Sequence, residues 1–130
     1  MADDSPPPLT RISALLASGP GAPDGDIHQG LDLHASLTPD GHVSLDAYYA
    51  DPRPWRARRF RPDRPDWQGE LVREEETWAL RGAPEEDGPL WFLDARTLHP
   101  GNYITLHRPD GASLIYRVVS VAAAEEPDPA

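Results

Sequence analysis

Cysteine is missing from this 130-residue chain, and so is lysine. The first absence removes disulfides, thiolate metal sites and cysteine nucleophiles together. The second makes all twelve basic residues arginine; with the heavy use of Ala, Pro, Gly and Asp, this matches GC-rich bacterial coding better than guanidinium groups chosen one by one. Long apolar runs are lacking too, and no stretch approaches the roughly 18 residues that span a bilayer. The opening MADDSPPPL carries acids where a secretory signal needs basic residues. These absences predict a soluble, cytoplasmic protein without a membrane role. Neither a G-x-S-x-G elbow nor a phosphate-cradling glycine loop occurs. No residue is singled out as catalytic, no cofactor is implied, and the chain reads as non-catalytic.

Acids outnumber bases by 22 to 12, for a formal net charge of −10. Such a field repels polyanions, which disfavours nucleic acid and suits a protein partner, above all a basic one. The length fits one domain. Residues 1–8 and 122–130 hold proline-bearing, polar ends expected to be disordered, leaving a single domain over 9–121.

Within that domain, Leu9, Ile12, Leu15 and Leu16 share one face at helical spacing, with Pro8 before them and Gly19 after, so a short amphipathic helix is expected over 9–18. From residue 27 the period changes to two. Ile27, Leu31, Leu33, Ala35 and Leu37 alternate with mostly polar residues, then Val43, Leu45, Ala47 and Tyr49 do the same across the link TPDGH. Pro39, Asp40 and Gly41 supply the chemistry of a three-residue hairpin loop with a glycine bulge. The register that follows sets Leu37 opposite Val43, Ala35 opposite Leu45 and Leu33 opposite Ala47, a hairpin over 27–49. RPDGA repeats the device in a second hairpin over 102–121, where Leu106 meets Leu114 and Ile104 meets Tyr116. Residues 68–81 admit either a helix or two strands turning at Glu74 and Glu75, and the β surroundings favour strands. The run 89–94 reads as another strand. Altogether the chain is expected to be mainly β, an antiparallel barrel or sandwich of about six strands with a short N-terminal helix.

The stretch PRPWRARRFRPDRPDW, residues 52–67, stands out against the acidic background. It reads as an arginine-rich connector broken by four prolines. Trp55, Arg56, Arg58, Arg59, Phe60, Arg61 and Trp67 are candidates for a protein interface, because Trp and Arg anchor such surfaces. Base stacking on the aromatics is the weaker alternative: in an extended chain Arg56 and Arg58 face away from Arg59 and Arg61, and no single aromatic platform forms. A third candidate is metal or small-ligand binding in an enzyme-like barrel, through His28, Asp32, His34 and Asp46. The expected first hairpin puts Asp32 and His34 on one β-face with Asp46 across from His34.

Overall fold

Two-residue alternation runs through more of this chain than any helical period, and in the computed structural model it produces eight strands. They are β1 (Thr10–Ser18), β2 (Asp26–Ala35), β3 (Trp55–Arg61), β4 (Arg64–Glu74), β5 (Thr77–Gly82), β6 (Trp91–Asp94), β7 (Tyr103–His107) and β8 (Ser113–Ala123). One short helix, α1 (Leu45–Ala50), lies between β2 and β3. The structure describes residues 9–19, 21–51, 53–82, 90–94 and 97–123. The expected N-terminal tail and residues 124–130 lie outside these, while Ala122 and Ala123, assigned to the C-terminal tail, end β8.

Each strand pairs antiparallel with the next, and β1 returns to pair with β8, so the sheet is a closed barrel. Closure leaves no unpaired edge. Ile12 and Leu16 of β1, Leu33 of β2, Ile104 of β7 and Tyr116 of β8 point into a continuous core, each burial stabilising by roughly 2 kcal/mol.

The helix expected over 9–18 is strand β1. Arg11, Ser13 and Leu15 alternate with the buried Ile12, Ala14 and Leu16, so the helical pattern depended on reading Ala14 as neutral and Leu15 as part of the apolar face. Pairing to β2 on one side and β8 on the other overrides a local helical preference worth only tenths of a kcal/mol per residue.

Both PDG turns form, with matching hydrogen bonds. The Thr38 N–H donates to the His42 carbonyl at 2.7 Å and that of Arg108 to Ala112 at 2.8 Å; Gly41 and Gly111 donate back to Thr38 and Arg108. Both glycines take positive φ, 89° and 92°. The second hairpin has the expected register, including Leu106 with Leu114 and Ile104 with Tyr116. The first stops after Leu37 and Val43. Ser44 caps α1, its hydroxyl accepting from the Ala47 N–H at 3.2 Å, and the expected second arm becomes that helix. The neighbour of β2 is β3 instead. The expected connector over 52–67 is therefore, from Trp55 on, most of the hairpin β3–β4, and 68–81 is the next hairpin, turning at Glu75 and Glu76 with Leu71 paired to Leu80.

α1 packs over the end of the barrel where β3 begins. Tyr48 stands edge-on to Trp55 and Trp78, with centroids 5.1 and 5.2 Å away, and these two indoles stack on each other. Leu98 seals the same end, its N–H donating to the Gly41 carbonyl. Asp51, just past α1, ties the plug down. Its carboxylate accepts from the Arg53 backbone and guanidinium at 2.8–2.9 Å and from Trp55 Nε1 at 3.0 Å.

The Arg53 hydrogen bonds, outweighing burial and helped by Trp55, lower the Asp51 pKa from 3.8 to about 2. A carboxyl held this low favours the folded state at every pH above its ordinary value, by about 2 kcal/mol. That contribution fades as the pH falls from about 4 towards 2. Asp51→Asn should therefore lower stability to urea near neutrality by about this amount, with the gap to the parent closing through that acidic window. A gap that stays constant with pH would show that the carboxylate charge has no part in it.

Candidate functional site

Alternation divides the arginine-rich hairpin between two environments. Trp55, Ala57 and Arg59 of β3 point inward and are buried, while Arg56 and Arg58 point outward. A register shift between Arg59 and Arg61 then brings Arg61 to the barrel rim. The seven residues expected to make one interface are thus dispersed. Trp55, 1% exposed, belongs to the core and its end plug.

On the outside, Asp32 receives Arg58 Nη2 at 2.6 Å and Arg11 Nη2 at 3.1 Å, and Arg58 Nη1 reaches Asp66 at 3.3 Å. Burial pushes the Asp32 carboxyl up, but hydrogen bonds from Ser13, Arg58 and Arg11 outweigh it and hold the group below its ordinary range. Such part-exposed pairs contribute under about 1 kcal/mol each; their main effect is to neutralise Arg58. Phe60 lies opposite Gly30 with the Arg58 guanidinium 5.3 Å from its ring centroid. Trp55 in the core and Phe60 beneath an arginine leave no row of rings for bases to stack on.

The metal candidates do not converge either. His34 shares a shallow outer depression of about 260 Å³ with Arg11, Asp32, Arg56 and Arg58. Burial first, then the charge of Arg11, lowers its pKa. Asp46, expected across from His34, sits in the first turn of α1, because the strand beside β2 is β3. His28 is exposed, with its N–H bound to Asp26 Oδ1 at 2.9 Å. Among the described residues no group of three or more His, Cys, Asp or Glu is arranged to hold an ion.

Opposite the α1 plug, the described residues leave the barrel open. A cavity of about 540 Å³ enters between the strand ends, lined by Asp26, Gln29, Arg59, Arg61, Asp63, Trp67, Trp91, Arg108 and Leu114, with Pro62 at its edge. Asp26 and Gln29 reach it because the β1–β2 register passes from Leu15–Gly30 directly to Leu16–Asp26, so 27–29 loop out of the ladder. The Asp26 carboxylate accepts from the His28 N–H and from Gln29 Nε2, and these bonds hold its pKa low.

Arg59 is the unusual group of this cavity. It is 7% exposed, and its Cζ lies 4.1 Å above the Trp91 ring centroid. Its Nε is shielded from solvent without a hydrogen-bond partner, and no ion pair joins it to an acid among the described residues. Arg108 approaches the same ring at 5.7 Å but is balanced by Asp110 at 2.8 Å. Arg61 Nη2 donates to the Pro65 carbonyl at 3.2 Å.

Sequence reasoning named Arg59, Arg61 and Trp67 of this set, for a different surface. Trp91, Arg108, Asp26 and Gln29 were not singled out, since only barrel closure brings five separate strand ends to one mouth. No protein-family model matches the chain, and no curated protein or solved structure matches it either.

A buried cation without a counter-charge costs several kcal/mol, against which a desolvated cation–π contact returns about 2. Arg59→Met, of similar length and still able to cover Trp91, should therefore leave the fold intact and raise its stability to urea by about 1 kcal/mol. A loss of stability would make Arg59 a structural residue.

Proposed function

We propose that this protein is a non-catalytic binding module: a closed β-barrel that takes a small anionic ligand in its open mouth. The observation that carries this reading is Arg59, nine-tenths buried, stacked on Trp91 and lining the cavity without an acid partner among the described residues. Low dielectric strengthens the attraction between such a charge and an incoming anion, because water screens it poorly. A volume of about 540 Å³ lies within the range of small-molecule sites. Trp67, Trp91 and Leu114 provide apolar wall, and the arginines set orientation. Binding, rather than turnover, is the reading because nothing among the described lining residues pairs a nucleophile with a base.

The module reading keeps what composition suggested and moves the ligand from the outer arginines to the mouth. A protein partner, basic or otherwise, would use the acidic exterior, separately from this cavity. No helix among the described residues is long and apolar enough to cross a membrane, and we assign the module to the cytoplasm of a bacterium on its acidic, cysteine-free composition.

Amide and indole NMR tests the site directly, with benzoate and phenyl phosphate as anions and benzamide as the uncharged control. At least one anion should move the Trp67 and Trp91 indole N–H signals while that of Trp55, at the plugged end, stays fixed. Arg59→Met should abolish the shifts, and added salt should weaken binding only modestly because the charge is buried. Silence from both anions, or equal shifts with benzamide, would refute the anion site.

A further inference from the structure

We infer that the plugged end of the barrel conducts one-electron oxidation from its indoles to the surface, and that the Tyr49 phenol is the residue modified. This role is separate from the mouth and does not depend on it. Four aromatic rings form a continuous series there. The Trp55 and Trp78 indoles stack with centroids 6.2 Å apart. Tyr48 stands edge-on to them at 5.1 and 5.2 Å, and Tyr49 stands edge-on to Tyr48 at 5.4 Å. The series runs outward: Trp55 is 1% exposed, Trp78 and Tyr48 are half-buried, and Tyr49 is 69% exposed. Packing explains Tyr48, which covers the two indoles. It does not explain why the next residue of α1 is a second phenol standing in water against the first.

Neighbouring charges give the series a direction. The Arg73 guanidinium, 5.2 Å from the Trp78 centroid, opposes a positive charge on that ring. Asp51, accepting the Trp55 indole N–H at 3.0 Å, favours one on its stacked partner. With its carboxyl held at about 2, Asp51 is too weak a base to keep the indole proton, so the oxidised pair is not trapped by losing it. The reagent is a one-electron oxidant from solution, a small inorganic radical. It takes one electron from Trp78 and is reduced by one. The indole radical cation takes an electron from Tyr48, whose phenolic proton passes to water. The Tyr48 phenoxyl then takes an electron from Tyr49 and recovers a proton from water, while Tyr49 releases its own. The net change is one electron and one proton lost from Tyr49. Phenoxyls of two molecules then couple through a carbon–carbon bond beside each oxygen, and each displaced ring hydrogen moves to that oxygen, which gives dityrosine without further oxidant.

Pulse radiolysis of the full-length protein in azide solution, whose radical oxidises indoles ahead of phenols, follows the transfer directly. Indole-radical absorption should decay as phenoxyl absorption grows, at a first-order rate independent of protein concentration. Tyr48→Phe keeps the edge-on ring and removes only the phenol, so the fold is retained. It should slow the conversion at least about tenfold. Tyr49→Phe, on an exposed helix face, should leave that first conversion intact, because Tyr48 still accepts the oxidation, but should remove most of the covalent dimer formed afterwards. Peptide mapping of the parent dimer should place the dityrosine link at Tyr49 and not at Tyr103, which is 56% exposed but absent from the series. No intramolecular conversion in the parent, or an undiminished rate in Tyr48→Phe, would overturn the route. A link at Tyr103, or an unchanged dimer yield in Tyr49→Phe, would overturn Tyr49 as its end, and the inference with it.

Discussion

Closure of the sheet through β1 and β8 is the constraint on which the rest of this structure depends. An eight-stranded barrel has an interior just wide enough for its own side chains. Here leucines, Ile12, Ile104 and Tyr116 fill the middle, so space for a ligand remains only at the ends. The two ends are then treated differently. At one, the chain between β2 and β3 folds back and sets Tyr48 edge-on against the stacked pair Trp55 and Trp78, with Asp51 holding the indole N–H of Trp55. At the other, the strand termini carry Arg59, Arg61, Trp67, Trp91 and Arg108 around a mouth that the described residues leave open. The proposed site follows from this, because the described residues leave interior space at this end.

The same closure explains how an arginine-dense segment fits into an acidic protein. On a strand, adjacent residues belong to opposite faces, and in a barrel one face is outside and the other inside. Arg58 meets Asp32 and Asp66 on neighbouring strands, and the Glu70–Arg81 pair at 2.7 Å adds a similar rung between β4 and β5. Cross-strand neutralisation needs the strands that closure supplies. A loop with the same composition would gather its arginines in one place, which is the assumption behind reading residues 52–67 as a single interface.

How far the sequence foretold this depends on the range of each signal. Local chemistry was legible: both PDG turns form with the expected hydrogen bonds, and the second hairpin has the expected register. The split of Arg56 and Arg58 from Arg59 followed from alternation alone. Long-range partnership was not legible. Val43, Leu45, Ala47 and Tyr49 alternate as a strand would, but β3 takes the edge of β2, and Ser44 with Asp46 in the first turn starts a helix. Ser-Leu-Asp-Ala carries a capping signal, which the alternation of its neighbours masks. Residues 9–18 failed for the opposite reason, because a short apolar segment satisfies both periods and only its neighbours decide. The metal candidates failed with the hairpin that was to assemble them, and the mouth was invisible because no local pattern links Asp26, Trp91 and Arg108.

Arg58 and Arg59 are consecutive, share one side chain and differ only in the face they occupy. The first has two carboxylates within 3.3 Å; the second has none among the described residues and keeps a buried Nε without a partner. Scarcity of acids does not explain the contrast, since 22 acids serve 12 arginines and Asp26 and Asp63 line the same cavity as Arg59. Nor does stability, because a leucine at that position would extend the apolar wall beside Trp91 and avoid the desolvation of a charge. Among the described residues, Arg58 is neutralised on the outside while Arg59 at the open end is not, a cost that binding an anion would offset. The proposed anion site would account for the unmatched charge and the open mouth together.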